Sequence, residues 1–229
     1  MAIKSGKYFS EELFKFLVEL RVHNDRDWFL KNKGRYESAV RDPFLRLIAD
    51  LAPALQKIPP GFIADPRPVG GSMMRIYRDI RFSRDKSPYK NSVAARFGPT
   101  AGKAAAPALY LHLEPGSCAI GAGMWHPEPG PLKQIRDAIV EDPKRWQKIT
   151  SGKVFGSGCR MFGDVLKRPP AGYNPDHPLI EDLKRKDFAI SLSLTDKQVS
   201  AAGLLEEVVE RYRVTGPFVK FLCDAIDTA

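Results

Sequence analysis

This chain has few of the features that announce a function. Its 229 residues hold three cysteines, Cys118, Cys159 and Cys223, far apart and in no CxxC pair. Neither a disulfide framework nor a zinc site is indicated, and all three are expected to be small buried fillers. No apolar run approaches the roughly 18 residues that span a bilayer. The N-terminal MAIKSGKYFSEELF lacks the apolar stretch of a secretion signal. A cytoplasmic protein without membrane contact is the expectation. His23, His112, His126 and His177 are scattered and HExxH is lacking, so neither a metal site nor a cofactor is expected. Ser83-Arg84-Asp85-Lys86 matches the SxxK of acyl-transferring serine enzymes. The SDN and KTG that accompany it are missing and the flanks read as strand and turn, so the match is a coincidence. Gly121-Ala122-Gly123 runs into Met124-Trp125-His126, without the third glycine of a dinucleotide fingerprint. There are no repeats and no low-complexity segments.

What the chain has is an ordinary globular composition, 43% hydrophobic and 28% charged, with an uneven excess of positive charge. The formal net charge is +9. Residues 1–100 hold 19 Lys and Arg against 11 Asp and Glu, a net of +8, and residues 101–229 hold 17 against 16, a net of +1. Half of the N-terminal excess, +4, lies in residues 75–90. Such asymmetry points to an acidic partner, either nucleic acid or an anionic small molecule. The alternative is a solvated surface that is merely basic.

The first third reads as helix. Ser10 caps a segment with Glu11 and Glu12 in its first turn and an apolar face of Leu13, Phe14, Phe16, Leu17 and Leu20. Asn24 or Asp25 starts a second short helix through Trp28 and Phe29, ending near Gly34. Tyr36, Val40, Phe44, Ile48, Leu51 and Leu55 then form one face of a long helix, interrupted at Asp42-Pro43 by a kink or a fresh cap. The middle reads as strands. Met74, Ile76, Ile80 and Phe82 share one parity with Arg78, and Arg75, Tyr77, Asp79 and Arg81 share the other. Val93–Phe97 is a second run, and Gly98–Pro107 a loop. Leu109–Leu113 and Cys118–Met124 flank Pro115-Gly116 as a hairpin.

Helices return at Pro131–Val140 and, after an Asp142-Pro143 cap, around Trp146. Lys167–Pro178 is a Pro-rich loop, and Phe188–Leu194 alternates as the cleanest strand. The last 30 residues read as two helices broken at Gly216-Pro217. Helices and strands occur in runs. The expectation is an α+β fold, a single domain over 1–229 with a mainly antiparallel sheet packed with N-terminal and C-terminal helices.

The chemistry-bearing candidate is Arg75–Asn91, RIYRDIRFSRDKSPYKN. Arginine captures phosphate or carboxylate through paired N–H groups and stacks on aromatic rings. Arg75, Tyr77, Arg78, Arg81, Lys86, Tyr89 and Lys90 are therefore the candidate anion-binding residues. Against this stands a structural network in which Arg75, Arg78 and Arg81 pair with Asp79, Asp85 and other acids. If those pairs were buried, removing one partner would cost about 3–5 kcal/mol. A second candidate is Tyr110, His112 and Glu114, which share one strand face, with His112 or Glu114 as acid/base. The plain alternative is the solvated side of an antiparallel sheet. Trp125-His126-Pro127-Glu128-Pro129 leaves its strand as a stiff loop at the edge of a cleft.

WFLKNKGRYE (Trp28–Glu37), RIYRDIRFSRDKSPYKN (Arg75–Asn91), GAGMWHPEP (Gly121–Pro129) and RKDFAISLSLTD (Arg185–Asp196) occur in this order. Together they resemble the bacterial and fungal family catalogued as domain of unknown function twenty-four sixty-one, over roughly Phe9 to Ile226. The resemblance implies a single domain of about this size, without an established activity or cofactor, and carries over no catalytic residue. It does place emphasis on Trp28, Asn32, Lys33, Tyr36, Arg75, Arg78, Asp79, Arg81, Phe82, Asp85, Lys86, Pro88, Tyr89 and Lys90. Three functions stay open: binding of a phosphate-bearing ligand or nucleic acid, an enzyme acting on a small phosphorylated or carboxylated metabolite, and a structural ion-pair network. Shape separates the first two, because an enzyme needs the cations to converge in a concavity beside Tyr110 and His112.

Overall fold

The structure, a computed structural model, describes residues 6–58, 60–99, 106–152, 155 and 158–226. The loop expected over Gly98–Pro107 lies mostly outside the described residues. Helix α1 (Glu12–Val22) buries Leu13, Phe16, Leu17 and Leu20. Ser10 accepts the Glu12 N–H at 3.3 Å but stands one residue before the cap position, Glu11. Helix α2 (Arg26–Lys31) starts as expected at Asp25, whose carboxylate accepts the Trp28 N–H at 2.8 Å.

Helix α3 (Lys33–Tyr36), a π-helical turn (Glu37–Arg41) and α4 (Asp42–Leu55) then run on without a side-chain cap at Arg41. The apolar face from Tyr36 to Leu55 is buried at every expected position. Pro43 has no N–H to give, and the chain accommodates it with the widened turn just before it, not with a break.

The sheet holds β1 (Val93–Phe97), β2 (Ala108–Leu113), β3 (Cys118–Met124), β4 (Arg160–Phe162) and β5 (Phe188–Leu194). Their order is β1-β2-β3-β5-β4, and every pairing is antiparallel. The fold is α+β. Register sets what each face carries: Arg96 lies opposite Tyr110, Tyr110 opposite Gly121, and Gly121 opposite Ser191. The alternate positions Leu109, Leu111, Ile120, Ile190 and Leu192 are buried. Arg96, Tyr110 and His112 therefore share the face turned away from the core.

Helices α5 (Pro129–Glu141) and α6 (Pro143–Thr150) follow β3, with Asp142 accepting the Arg145 N–H at 2.9 Å. Short helices α7 (Ile180–Leu183) and α8 (Asp196–Val199) bracket β5. Helix α9 (Leu204–Ala225) packs on β3, α4, α5 and α6. No helix among the described residues is long and apolar enough to cross a membrane.

Two expectations are corrected. Gly216-Pro217 does not break the last helix, which runs unbroken from Leu204 to Ala225. A proline inside a helix costs about 3 kcal/mol. Here Phe218, Val219, Phe221 and Leu222 are buried just beyond it. Each contributes about 1.5–3 kcal/mol, so packing outweighs the proline.

The strand expected over Met74–Phe82 does not form either; the segment holds one isolated bridge, Tyr77 with Tyr89, and Met73 just before it bridges Ala95. Asp79 accepts the Arg81 N–H at 3.2 Å and Asp85 accepts the Ser87 N–H at 2.9 Å. These carboxylates offer the backbone an alternative to a ladder, and Pro88 has no N–H for one.

Candidate functional site

The basic motif is a short hairpin whose base and tip differ in character. At the base, Arg78 N–H donates to the Pro88 carbonyl at 2.9 Å and Lys90 N–H to the Ile76 carbonyl at 2.8 Å. Asn24, in the turn before α2, clamps this base to the helical layer. Its Oδ1 accepts the Tyr89 N–H at 3.0 Å, and its Nδ2 donates to the Tyr89 carbonyl at 3.0 Å. The Tyr89 ring stacks on Phe29 at 4.1 Å and lies 5.3 Å from Tyr77. Tyr89 is buried, and that burial raises its phenol pKa above the usual value. Its ring is thus committed to the core, while Tyr77 is exposed.

At the tip three of the four cations are engaged, and Arg84 is exposed and makes no ion pair among the described residues. Arg78 pairs with Asp85, and Arg81 pairs with Asp79 at 2.7 Å. Lys86 Nζ donates to the Ile80 carbonyl at 3.0 Å. Hydrogen bonds from Ser87, joined by Arg78, pull the Asp85 carboxyl down to about 2. Arg81 holds Asp79 below the usual carboxylate range. The structural network exists, but at the surface: half of Asp85 is exposed, and Phe82 beside it is 96% exposed.

A cleft of about 540 Å³ opens at the base, lined among others by Ser72, Met74, Arg75, Tyr77, Lys90 and Arg96. Two carboxylates reach it, Asp65 and Asp79, and each is held by its own arginine, Arg67 at 2.6 Å and Arg81 at 2.7 Å. Arg75 acts on Asp79 only at longer range. Among the described residues neither Arg75 nor Lys90 forms an ion pair. Burial holds the Lys90 ammonium below the ordinary lysine pKa, and the Arg75 charge adds to the effect. Burial also lowers Arg96, whose guanidinium donates to the Ala106 carbonyl at 2.7 Å.

The cleft wall is shaped by the turn before Ser72. A Cβ on Gly71 would come within 2.3 Å of the Arg67 carbonyl oxygen and 2.6 Å of that of Asp65, so only glycine closes this turn. The turn then joins the β1 edge, where the Arg96 N–H donates to the Ser72 carbonyl at 3.0 Å.

The structure thus brings Arg75, Tyr77 and Lys90 of the candidate residues together and turns Arg78, Arg81 and Lys86 to the tip. Arg96 and Ser72 join the cleft and were not expected. The one sequence signal was a lone arginine in the apolar run VAARF. Neither Tyr110 nor His112 lines the cleft. His112 Nε2 sits 3.1 Å from Glu114, which also pairs with Arg21 at 3.2 Å. The Tyr110 ring lies 6.1 Å from that of His112, and burial raises its phenol pKa. Among the described residues no group of His, Cys, Asp and Glu is arranged to hold a metal ion.

A family model described as a conserved hypothetical protein, DUF2461, matches residues 12–221. No curated protein and no solved structure matches the chain.

Proposed function

We propose that the chain, which belongs to the DUF2461 family, binds a small anionic, phosphate-bearing ligand in the cleft at the base of the Arg75–Lys90 hairpin. The observation that carries this reading is the pair Arg75 and Lys90. Both line the cleft, Lys90 is partly desolvated with the Arg75 charge nearby, and neither forms an ion pair among the described residues. A protein bears that cost where an anion completes the site. Arg96 supplies a third cation and Tyr77 an exposed ring.

The concave shape favours a small ligand over nucleic acid, which suits a flat or convex basic stripe. The enzyme reading gains less support, because His112 and Glu114 pair with each other and with Arg21 outside the cleft. Cytoplasmic residence belongs to the same proposal.

The test is a thermal-shift series on the full chain with inorganic phosphate, a nucleoside monophosphate, a dicarboxylate and a single-stranded oligonucleotide. A specific ligand raises the melting temperature by mass action. Phosphate and the monophosphate are expected to raise it, and the oligonucleotide to do so only at low salt. No rise with either phosphate compound refutes the reading.

A further inference from the structure

A second arrangement lies across the sheet, where β3, β4 and β5 meet. The Asp187 side chain is fully buried. Its Oδ1 accepts the His126 N–H at 2.7 Å and its Oδ2 accepts the Asp164 N–H at 2.8 Å. His126 Nδ1 lies 3.2 Å from the same Oδ1. Gly163 permits the approach: its φ is +111°, and a Cβ there would fall 2.4 Å from that of Asp187.

His126 itself has φ +49°, and no other non-glycine among the described residues has a positive φ. Its side chain is nevertheless 64% exposed. Beside it the Trp125 ring stacks on Phe162 at 5.1 Å and 28°, and lies 4.6 Å from the imidazole. Trp125 is 55% exposed and Phe162 40%.

Pinning the loop does not account for this. Asp187 needs only a backbone N–H at position 126, which glycine would supply without the cost of a Cβ at positive φ. Strain held at one residue whose side chain faces solvent is a reason to look for a ligand. With Nδ1 held 3.2 Å from the Asp187 carboxylate, we assign the neutral ring the tautomer with its hydrogen on Nδ1, which leaves Nε2 as an acceptor on the far side of the ring. An acceptor fixed next to exposed, stacked aromatic rings suits a flat ring with a donor on its edge.

We propose that Trp125, Phe162 and His126 form a second ligand site for a planar heteroaromatic ring. The ring stacks on Trp125 and donates an N–H or O–H to His126 Nε2, and Asp187 is the positioning residue. The site is independent of the anion cleft. Arg96 on β1 and Phe162 on β4 are four strand spacings apart, about 19 Å, beyond the reach of one mononucleotide.

The test uses NMR on the full chain, following the Trp125 indole N–H and the His126 ring, with adenosine as probe and inorganic phosphate as comparison. Adenosine is expected to shift both signals saturably, and phosphate neither. Trp125→Ala is expected to weaken adenosine at least tenfold. His126→Asn, which tolerates the positive φ, is expected to weaken it about tenfold without lowering the melting temperature. The proposal is overturned if adenosine moves neither signal at millimolar concentration, if His126→Asn binds it unchanged, or if phosphate alone reproduces the shifts.

Discussion

The tip and the base of the basic hairpin are built from the same residue types, yet they treat charge in opposite ways. At the tip, each arginine of an ion pair finds an acid within the hairpin, Arg78 with Asp85 and Arg81 with Asp79. At the base, Arg75 and Lys90 face a cleft whose acids are already engaged, and Lys90 loses solvation there. A count of +4 over the motif treats these as one patch. Arg84 is exposed at the tip without an ion pair among the described residues, so a missing partner is not enough; what sets the base apart is that its unpaired cations also line a cleft.

The largest effect that sharpens this contrast is structural. Tyr89→Ala removes a buried ring stacked on Phe29 and is expected to cost about 3–5 kcal/mol in urea unfolding. A loss below about 1 kcal/mol would mean the base is no better anchored than the tip.

Next comes pH. A bound anion favours charged Lys90, so affinity for sulfate, whose own charge is constant, is expected to fall as pH rises through the depressed Lys90 pKa. The decline begins below the ordinary value of 10.5 and approaches tenfold per unit. For folding the sign is opposite: the unfolded chain binds more protons in that window, so the cost of burying Lys90 is relieved as pH rises. A sulfate affinity flat up to pH 10.5 would remove Lys90 from the site.

The smallest effects belong to the tip. Arg81→Ala is expected to leave the urea unfolding midpoint nearly unchanged, as loss of an exposed pair does. In acid, the Asp85 contribution is fully present above 3.8 and is lost as pH falls through about 2. The Ser87 amide resonance should report that loss. A change already complete at pH 4 would contradict the assigned pairing.

The sequence made some elements plain and hid others for physical reasons. Strand β5 and the β2–β3 hairpin alternate without interruption, so period alone finds them. The Asp25 cap is likewise local. The continuity of α9 through Pro217 was hidden, because it depends on what Phe218 and Phe221 pack against, which no local rule contains. The Met74–Phe82 strand was wrongly expected because period ignores Asp79 and Asp85 taking backbone N–H groups for themselves. The candidate site was half legible. Arg75, Tyr77 and Lys90 stood out by composition, but Arg96 entered only through the contact between the Ser72 turn and the β1 edge. His126 and Asp187 are 61 residues apart in sequence, and only the β3–β5 pairing brings them together.

The most direct test of the division between base and tip is calorimetric titration of inorganic phosphate into the wild type and three variants. Arg75→Ala and Lys90→Ala are each predicted to weaken binding at least tenfold, and Lys86→Ala, at the tip and outside the cleft, by less than twofold. Equal losses in all three, or no loss in any, would contradict it.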